Sequence, residues 1–165
     1  MTLLLVSGST RDASTNTAAL RAIRAGRPDA VLYDGLAGLP AFVPGADPPP
    51  PVQALSAAVR AADAVLFCTP EYAGTLPGSL KNLLDWTVGD GDLYGKPAGW
   101  ITVAAEGRGR GAEATLRLVL GYVGATIVEL PRIPVPREAV AAGDITDPTL
   151  RAALLDAATI LDPLP

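Results

Sequence analysis

The residues best suited to binding chemistry lie at positions 7–16, in the stretch SGSTRDASTN, directly after a short apolar run. This stretch combines several short hydroxyl side chains with the guanidinium of Arg11. Hydroxyls can approach phosphate oxygens closely, arginine adds charge-assisted hydrogen bonds, and a helix beginning near Ser14 or Thr15 would present amides to an anion. The composition indicates an anion site, and a simple helix cap at Ser14 with Arg11 in solvent is the alternative.

Two further loops have unusual compositions. Residues 68–78 read CTPEYAGTLPG, in which prolines and glycines constrain the backbone and Tyr72 offers an aromatic face. Such a loop could line a flat heteroaromatic ring, or it could be an ordinary connection between a strand and a helix. Residues 104–111 read AAEGRGRG, and their glycines allow backbone conformations that other residues rarely adopt.

Several chemistries are excluded by residue type. The sequence has no histidine and a single cysteine, Cys68, so it cannot form a Ser-His-Asp or Cys-His catalytic set, a histidine-ligated metal site or an internal disulfide. Neither a Walker A sequence nor Gly-x-Gly-x-x-Gly is present, which disfavours a Rossmann dinucleotide site. An enzyme with this composition would draw its chemistry from a bound cofactor, so no side chain is given a catalytic role and no metal is expected.

Alternating strands and helices must position these loops. Apolar runs at 3–6, 30–33, 64–68, 98–103 and 125–128 predict five buried parallel strands. Helical periodicity is found between them, as in Leu80, Leu83 and Leu84 after Pro77, and a last helix should begin at Asp147 and Pro148. The pattern predicts a doubly wound α/β sheet with helices on both faces. In such sheets ligands bind at the carboxyl ends of the strands, where all three unusual loops begin.

Length and charge narrow the class of protein further. With 165 residues and 49% hydrophobic composition, residues 1–165 are expected to form one domain, in which 36–51 is an ordered surface loop. The net charge of −4 argues against a nucleic-acid partner. No apolar window suits a membrane span and the run at 3–6 is too short for a signal peptide, so a cytoplasmic location without a membrane partner is expected.

The first two loops together resemble the NADPH-dependent FMN reductase family, whose flavodoxin-like members include quinone, chromate and azo-dye reductases. The family pattern is Gly-Ser-x-Arg-x-x-Ser-x-Asn, then Pro-Glu-Tyr-Asn and Pro-Gly-x-Leu-Lys-Asn-x-x-Asp-Trp. The resemblance covers nearly the whole chain and implies a flavodoxin-like, five-stranded sheet. The pattern is matched at Gly8, Ser9, Arg11, Ser14, Asn16, Pro70, Glu71, Tyr72, Pro77, Gly78, Leu80, Lys81, Asn82, Asp85 and Trp86.

The resemblance implies an FMN site with two halves. The phosphate would be held by Ser9, Arg11, Ser14, Thr15 and Asn16. The ring would be surrounded by Pro70, Glu71, Tyr72, Ala73 and Gly74, with Ala105 and Gly107 from the third loop.

This sequence departs from the family pattern at two positions. Ala73 stands where the family has asparagine, which removes an amide but leaves the backbone contacts. Glu106 is unexpected beside a flavin, because its charge would disfavour flavin reduction, and it should point to solvent. Arg108 and Arg110 could meet the phosphates of NADPH or simply be solvated.

The implied activity is an FMN-dependent NAD(P)H oxidoreductase that passes hydride from nicotinamide to FMN and on to a quinone or similar small acceptor. An FMN-binding electron carrier and a flavin-free binding module are the alternatives. The donor, NADPH or NADH, and the acceptor stay open. A homodimer or homotetramer is implied, with the helix at 77–86 at its interface, and Trp86 fits either that interface or the core.

Overall fold

Side chains of the first strand alternate between two hydrophobic cores. Leu3 and Leu5 are fully buried on one face, whereas Leu4 and Val6 are buried on the other. A strand that is covered on both faces reads as a continuous apolar run, which is why this segment was recognisable. The structure, a computed structural model, describes residues 1–162. The last three residues of the predicted domain 1–165 therefore lie outside the described part of the chain.

Five parallel strands form the central sheet, in the order β2-β1-β3-β4-β5. The prediction of a flavodoxin-like, doubly wound five-stranded sheet is confirmed. The strands are β1 (Leu3–Ser7), β2 (Ala30–Tyr33), β3 (Ala64–Cys68), β4 (Pro97–Trp100) and β5 (Thr126–Ile127). A separate two-stranded antiparallel hairpin, β6 (Val140–Ala141) and β7 (Asp144–Ile145), was not predicted.

Five α-helices cover the sheet on both faces. They are α1 (Thr15–Gly26), α2 (Pro50–Ala61), α3 (Gly78–Trp86), α4 (Arg110–Tyr122) and α5 (Pro148–Thr159). Residues of α1 and α5 pack in the core that contains Leu3 and Leu5, and those of α2, α3 and α4 pack in the other. None of the helices in residues 1–162 has the length and apolar character needed to cross a bilayer.

Most predicted boundaries hold, with three corrections. The fourth strand ends at Trp100 rather than at residue 103. The Ile101 amide still donates to the Phe67 carbonyl of β3, whereas the carbonyls of Thr102 and Val103 accept from the amides of Ile133 and Val135, outside the five strands. The fifth strand is shorter than 125–128. Pro77 precedes α3 instead of occupying its first turn, whereas Asp147 caps α5 as predicted and accepts from the Thr149 amide at 2.8 Å.

The predicted surface loop 36–51 is ordered, but its bounds need correction: Leu36–Gly38 is a 3-10 helix, and α2 already begins at Pro50. The intervening residues pack against α3. The Pro40 carbonyl accepts hydrogen bonds from Asn82 and from the indole of Trp86, and Phe42 contacts Trp86 edge-to-face with ring centroids 5.0 Å apart. Trp86 is 9% exposed. It therefore belongs to the core of this chain.

Candidate active site

The first two loops are pressed together at the carboxyl edge of the sheet. The amide of Gly8, directly after β1, donates to the carbonyl of Cys68 at the end of β3 (2.9 Å). A Cβ atom at Gly8 would lie 2.1 Å from the side-chain oxygen of Thr69. Glycine at this position is therefore what allows the two loops to share one site.

The first loop is folded by its own short side chains. The hydroxyl of Ser9 accepts from the Arg11 amide (3.2 Å), and that of Ser14 caps α1 by accepting from the Asn16 amide (3.2 Å). Both hydroxyls use only their acceptor capacity in these bonds, so each retains an O–H donor. Within residues 1–162, the Thr15 amide and the Arg11 guanidinium have no hydrogen-bond partner. These donors surround the start of α1.

The start of α1 suits an anion better than the start of α4. No acidic residue lies in the first turn of α1. At α4 the carboxylate of Glu71 already accepts hydrogen bonds from the amides of Gly111 (2.7 Å) and Ala112 (3.2 Å), and Glu113 lies in the first turn. A helix N-terminus attracts negative charge. The Glu71 carboxylate provides that charge at the N-terminus of α4, whereas the N-terminus of α1 is available to an anionic ligand.

The second loop contains a tight turn with unusual backbone angles. Tyr72 and Thr75 exchange two backbone hydrogen bonds of 3.0 and 3.1 Å, and the central residues Ala73 and Gly74 have φ of 50° and 77°. Two positive φ values are characteristic of a type I′ turn, for which Asn-Gly is the preferred pair. The family's asparagine at this position therefore matches the backbone, and Ala73 occupies it with strain.

Two adjoining cavities of about 540 and 710 Å³ lie along this edge. We call them the loop-1 cavity and the loop-3 cavity, and together the cleft. The loop-1 cavity is lined by the first loop with Pro70, Tyr72 and the β6–β7 hairpin, and the loop-3 cavity by Glu71, Ala104, Ala105, Arg108 and segment 135–137. Both are of the size typical of small-molecule sites, ~300–1,000 Å³. Residues that line both are Thr15, Asn16, Pro70 and Arg137.

Most of the predicted site residues line the cleft, and three do not. Ala73 and Gly74 form the exposed tip of the turn, and Gly107 is exposed in the third loop. Their contact with a ring stays a prediction, which their position outside the cavity lining does not support. Glu106 is exposed and lines neither cavity, as expected. The residues that the structure brings together are Ser9, Arg11, Ser14, Thr15, Asn16, Pro70, Glu71, Tyr72 and Ala105.

Sequence reasoning missed the C-terminal contribution to the cleft. Arg21 donates to the carbonyls of Asp12 (3.1 Å) and Gly143 (3.4 Å), which ties the first loop to the β6–β7 hairpin. Arg137 lines both cavities. One signal was available, because the segment after the fifth parallel strand must begin at the same carboxyl edge as the three loops.

The cleft is positive although the protein is acidic. Its lining contains Arg11, Arg21, Arg108 and Arg137 against Asp12 and Glu71, a net charge of +2, whereas the whole chain carries −4. Such a lining concentrates anionic ligands. The donors at α1, the volume and this charge all fit the phosphate and the flat ring of FMN.

The single thiol takes no part in this chemistry. Cys68 is fully buried at the end of β3 and donates to the side-chain oxygen of Asn16 (3.4 Å). Burial raises the pKa of the Cys68 thiol far above its usual value, so the thiol stays protonated. Because the thiolate is the reactive form, Cys68 acts as a packing residue beneath the cleft.

Comparison with known proteins agrees with this geometry. An NAD(P)H-dependent FMN reductase of Pseudomonas aeruginosa is 37% identical over 123 residues, which cover 70% of this chain and 66% of that protein. A quinone reductase of Escherichia coli K12 is 38% identical over 87 residues, covering 50% and 46%. The aligned regions thus span roughly half to two thirds of the length of these curated relatives.

Structural similarity extends over nearly the whole chain. FerB, a flavoenzyme NAD(P)H:(acceptor) oxidoreductase from Paracoccus denitrificans, superposes with a TM-score of 0.82 at 29% identity, covering 98% of this chain and 95% of FerB. The family description "NADPH-dependent FMN reductase" matches residues 1–139, which include all three loops and Arg137. With its fold, its cleft and its two motifs in agreement, the chain belongs to the NADPH-dependent FMN reductase family.

Proposed function

We propose that this protein is an FMN-dependent NAD(P)H oxidoreductase that reduces a quinone or a similar small acceptor. The observation that carries the proposal is the positive cleft, in which the donors around α1 adjoin a wall formed by Pro70 and Tyr72. The printed names of the relatives, FMN reductase and quinone reductase, point to the same chemistry.

The residues of the cleft would bind the two ends of FMN differently. Ser9, Arg11, Ser14, Thr15 and Asn16 would hold the phosphate through hydroxyl, guanidinium and amide donors. When bound, FMN would supply the redox chemistry, namely hydride transfer from a nicotinamide and electron transfer to an acceptor. The protein then needs only to bind and orient it.

The second loop and the third loop would hold the ring. Pro70 and Tyr72 line the loop-1 cavity beside the first loop, and Ala105 lines the adjoining loop-3 cavity. The side chain of Glu71 is bound to α4, so this residue positions the loop and leaves ring contacts to the backbone. The two backbone hydrogen bonds between Tyr72 and Thr75 hold the turn formed by Ala73 and Gly74.

The test is a reconstitution followed by anaerobic reduction. Purified protein is mixed with FMN and its visible spectrum and dissociation constant are measured; a micromolar or tighter complex is expected. NADPH or NADH should then bleach the flavin, and a quinone should restore it. Absence of binding would overturn the proposal, and a bound flavin that neither nucleotide bleaches would indicate an electron carrier.

The assembly and location form a second part of this proposal. A homodimer or homotetramer is supported by the apolar side chains of Phe42 and Val43, which stay exposed although Phe42 contacts Trp86 of α3. The cytoplasmic location rests on the sequence alone. Sedimentation equilibrium of the wild type and of Val43→Asp tests the assembly. A dimer that the substitution weakens is expected, and a monomeric wild type would contradict it.

A further inference from the structure

Two arginines of the cleft lie outside the first loop and have no partner in the chain. Arg108 follows β4 in the third loop, and Arg137 belongs to the segment after β5; both line the loop-3 cavity. Within residues 1–162 neither guanidinium forms a hydrogen bond or an ion pair. By contrast, two arginines near these positions form ion pairs with carboxylates: Arg132 with Glu113, and Arg117 with Glu129.

The first loop already has enough charge for the phosphate of FMN. A phosphate monoester carries about −1.5 to −2 near pH 7. Arg11 and the donors at α1 face that end of the cleft, next to Arg21. Arg108 lines only the other cavity, so its charge stays available when the first loop is occupied.

The geometry points to a second anion site, formed by Arg108 and Arg137, which binds the 2′-phosphate of NADPH and makes NADPH the preferred donor. This inference rests on the proposed function, and it names the group that distinguishes the two donors. A phosphate is held best by guanidinium groups, which donate two parallel hydrogen bonds. Arg132 fixes the third loop by donating to the Arg108 carbonyl, so the guanidinium of Arg108 projects from a held backbone.

Arg110 provides a matched control. It has the same charge two residues along the chain, but it begins α4 and lines neither cavity. Its loss changes the net charge of the protein as much as the loss of Arg108 does. A site effect and a general charge effect are therefore separable.

The experiment measures a nonreactive ligand and both donors on FMN-loaded protein. Adenosine 2′,5′-bisphosphate is titrated calorimetrically, with adenosine 5′-monophosphate for comparison. Arg108→Gln and Arg137→Gln should each weaken the bisphosphate about tenfold, the lower range for hydrogen bonds to charged groups. They should raise KM for NADPH similarly, and by much more than they raise KM for NADH, which has no 2′-phosphate. Arg110→Gln should match the wild type, and Arg108→Lys should retain part of the affinity.

Three results would overturn the inference. One is unchanged bisphosphate affinity in Arg108→Gln and Arg137→Gln, and another is an equal loss in Arg110→Gln. The third is a rise in KM for an anthraquinone sulfonate that exceeds the rise in KM for NADPH in these variants, which would assign the anion to the acceptor. In each case FMN binding and oxidation of NADH persist, so the proposed function stands. Protein that binds no FMN would overturn both.

Discussion

At the scale of single residues, Arg11 is the cation that the sequence motif and the structure both place at the start of α1. Its guanidinium lines the loop-1 cavity and has no partner in residues 1–162. The Arg11 guanidinium is therefore available to bind an external anion. Arg21 in the same cavity already donates to the backbone carbonyls of Asp12 and Gly143.

Arg11→Ala should weaken FMN binding by about 1.5–3 kcal/mol, the range for hydrogen bonds to charged groups. The dissociation constant is measured by quenching of flavin fluorescence. Arg24→Ala is the control, because Arg24 lies in the last turn of the same helix and away from the cleft. Equal dissociation constants for Arg11→Ala and the wild type would place the phosphate elsewhere.

Ala73 is one of two non-glycine residues with a positive φ in residues 1–162, the other being Ala142 in the β6–β7 hairpin. A left-handed conformation costs a non-glycine residue about 1–2 kcal/mol, and asparagine less. Ala73→Asn should therefore raise the free energy of unfolding by about 0.5–1 kcal/mol, measured by urea denaturation. Gly74→Ala should lower it by about 1 kcal/mol at a φ of 77°. Stability changes of the same sign would show that backbone conformation does not govern this turn.

At the scale of elements, the second loop and α4 behave as one unit. The Glu71 carboxylate binds two amides of α4, and the hydroxyls of Thr75 and Thr115 lie 2.8 Å apart. A Cβ at Gly111 would lie 2.0 Å from the Gly74 carbonyl oxygen, a backbone atom that cannot turn aside. The position of Tyr72 in the cleft is therefore set by α4.

Gly111→Ala should displace the second loop and lower the free energy of unfolding by about 1–3 kcal/mol, the usual cost of overpacking. It should also weaken FMN binding. Gly121→Ala in the same helix has nothing within 4 Å of the added methyl and should stabilise by up to about 1 kcal/mol through helix propensity. Thermal unfolding of both variants checks the pair, and a neutral Gly111→Ala would contradict the close contact.

At the scale of the whole molecule, one ion cluster joins the beginning and the end of the domain. Arg27, directly after α1, is 9% exposed at its side chain; it pairs with Asp29 and Asp162 and donates to the Ala158 carbonyl at 3.1 Å. The cluster holds α5 against α1 on the face opposite α2, α3 and α4.

This cluster predicts an acid-dependent loss of stability. The hydrogen bond from Arg27 lowers the pKa of Asp29 below its ordinary value of 3.8. The unfolded chain thus binds the proton more readily, so the stabilisation is present above about pH 4 and is lost as the pH falls through the folded value. Asp29→Asn should remove up to about 1 kcal/mol at pH 7, a modest amount because Asp29 is partly exposed, and progressively less as the pH falls below about 4.

Urea denaturation at several pH values measures this difference. Asp47→Asn is the control, because the Asp47 side chain forms no ion pair within residues 1–162. A gap between Asp29→Asn and the wild type that stays constant from pH 7 to pH 2 would rule out the ion pair as its source.

The sequence by itself determined the layers of this protein and the half of the cleft formed by the first loop. Short continuous apolar runs such as 3–6 and 64–68 are typical of strands buried on both faces, and the alternation of strands with helices favours a doubly wound sheet. The role of the first loop could be predicted because its hydrogen bonds are local. In the helix cap, for example, the Asn16 amide donates to the Ser14 hydroxyl. The two motifs indicated the family for the same reason, because each consists of residues that are close in the sequence.

The tertiary structure decided which side chains face the cleft. Glu71 binds α4 across 40 positions, and Arg21 reaches Gly143 across 122. Contacts this distant depend on how whole elements pack, and no local periodicity encodes them. For that reason the sequence could indicate that the segment after the fifth strand begins at the edge of the cleft, but not that Arg137 lines it. Ala73, Gly74 and Gly107 stay predicted ring contacts, although they lie outside the cavity lining. The ends of β4 and β5 depend in the same way on the neighbouring strand that pairs with them.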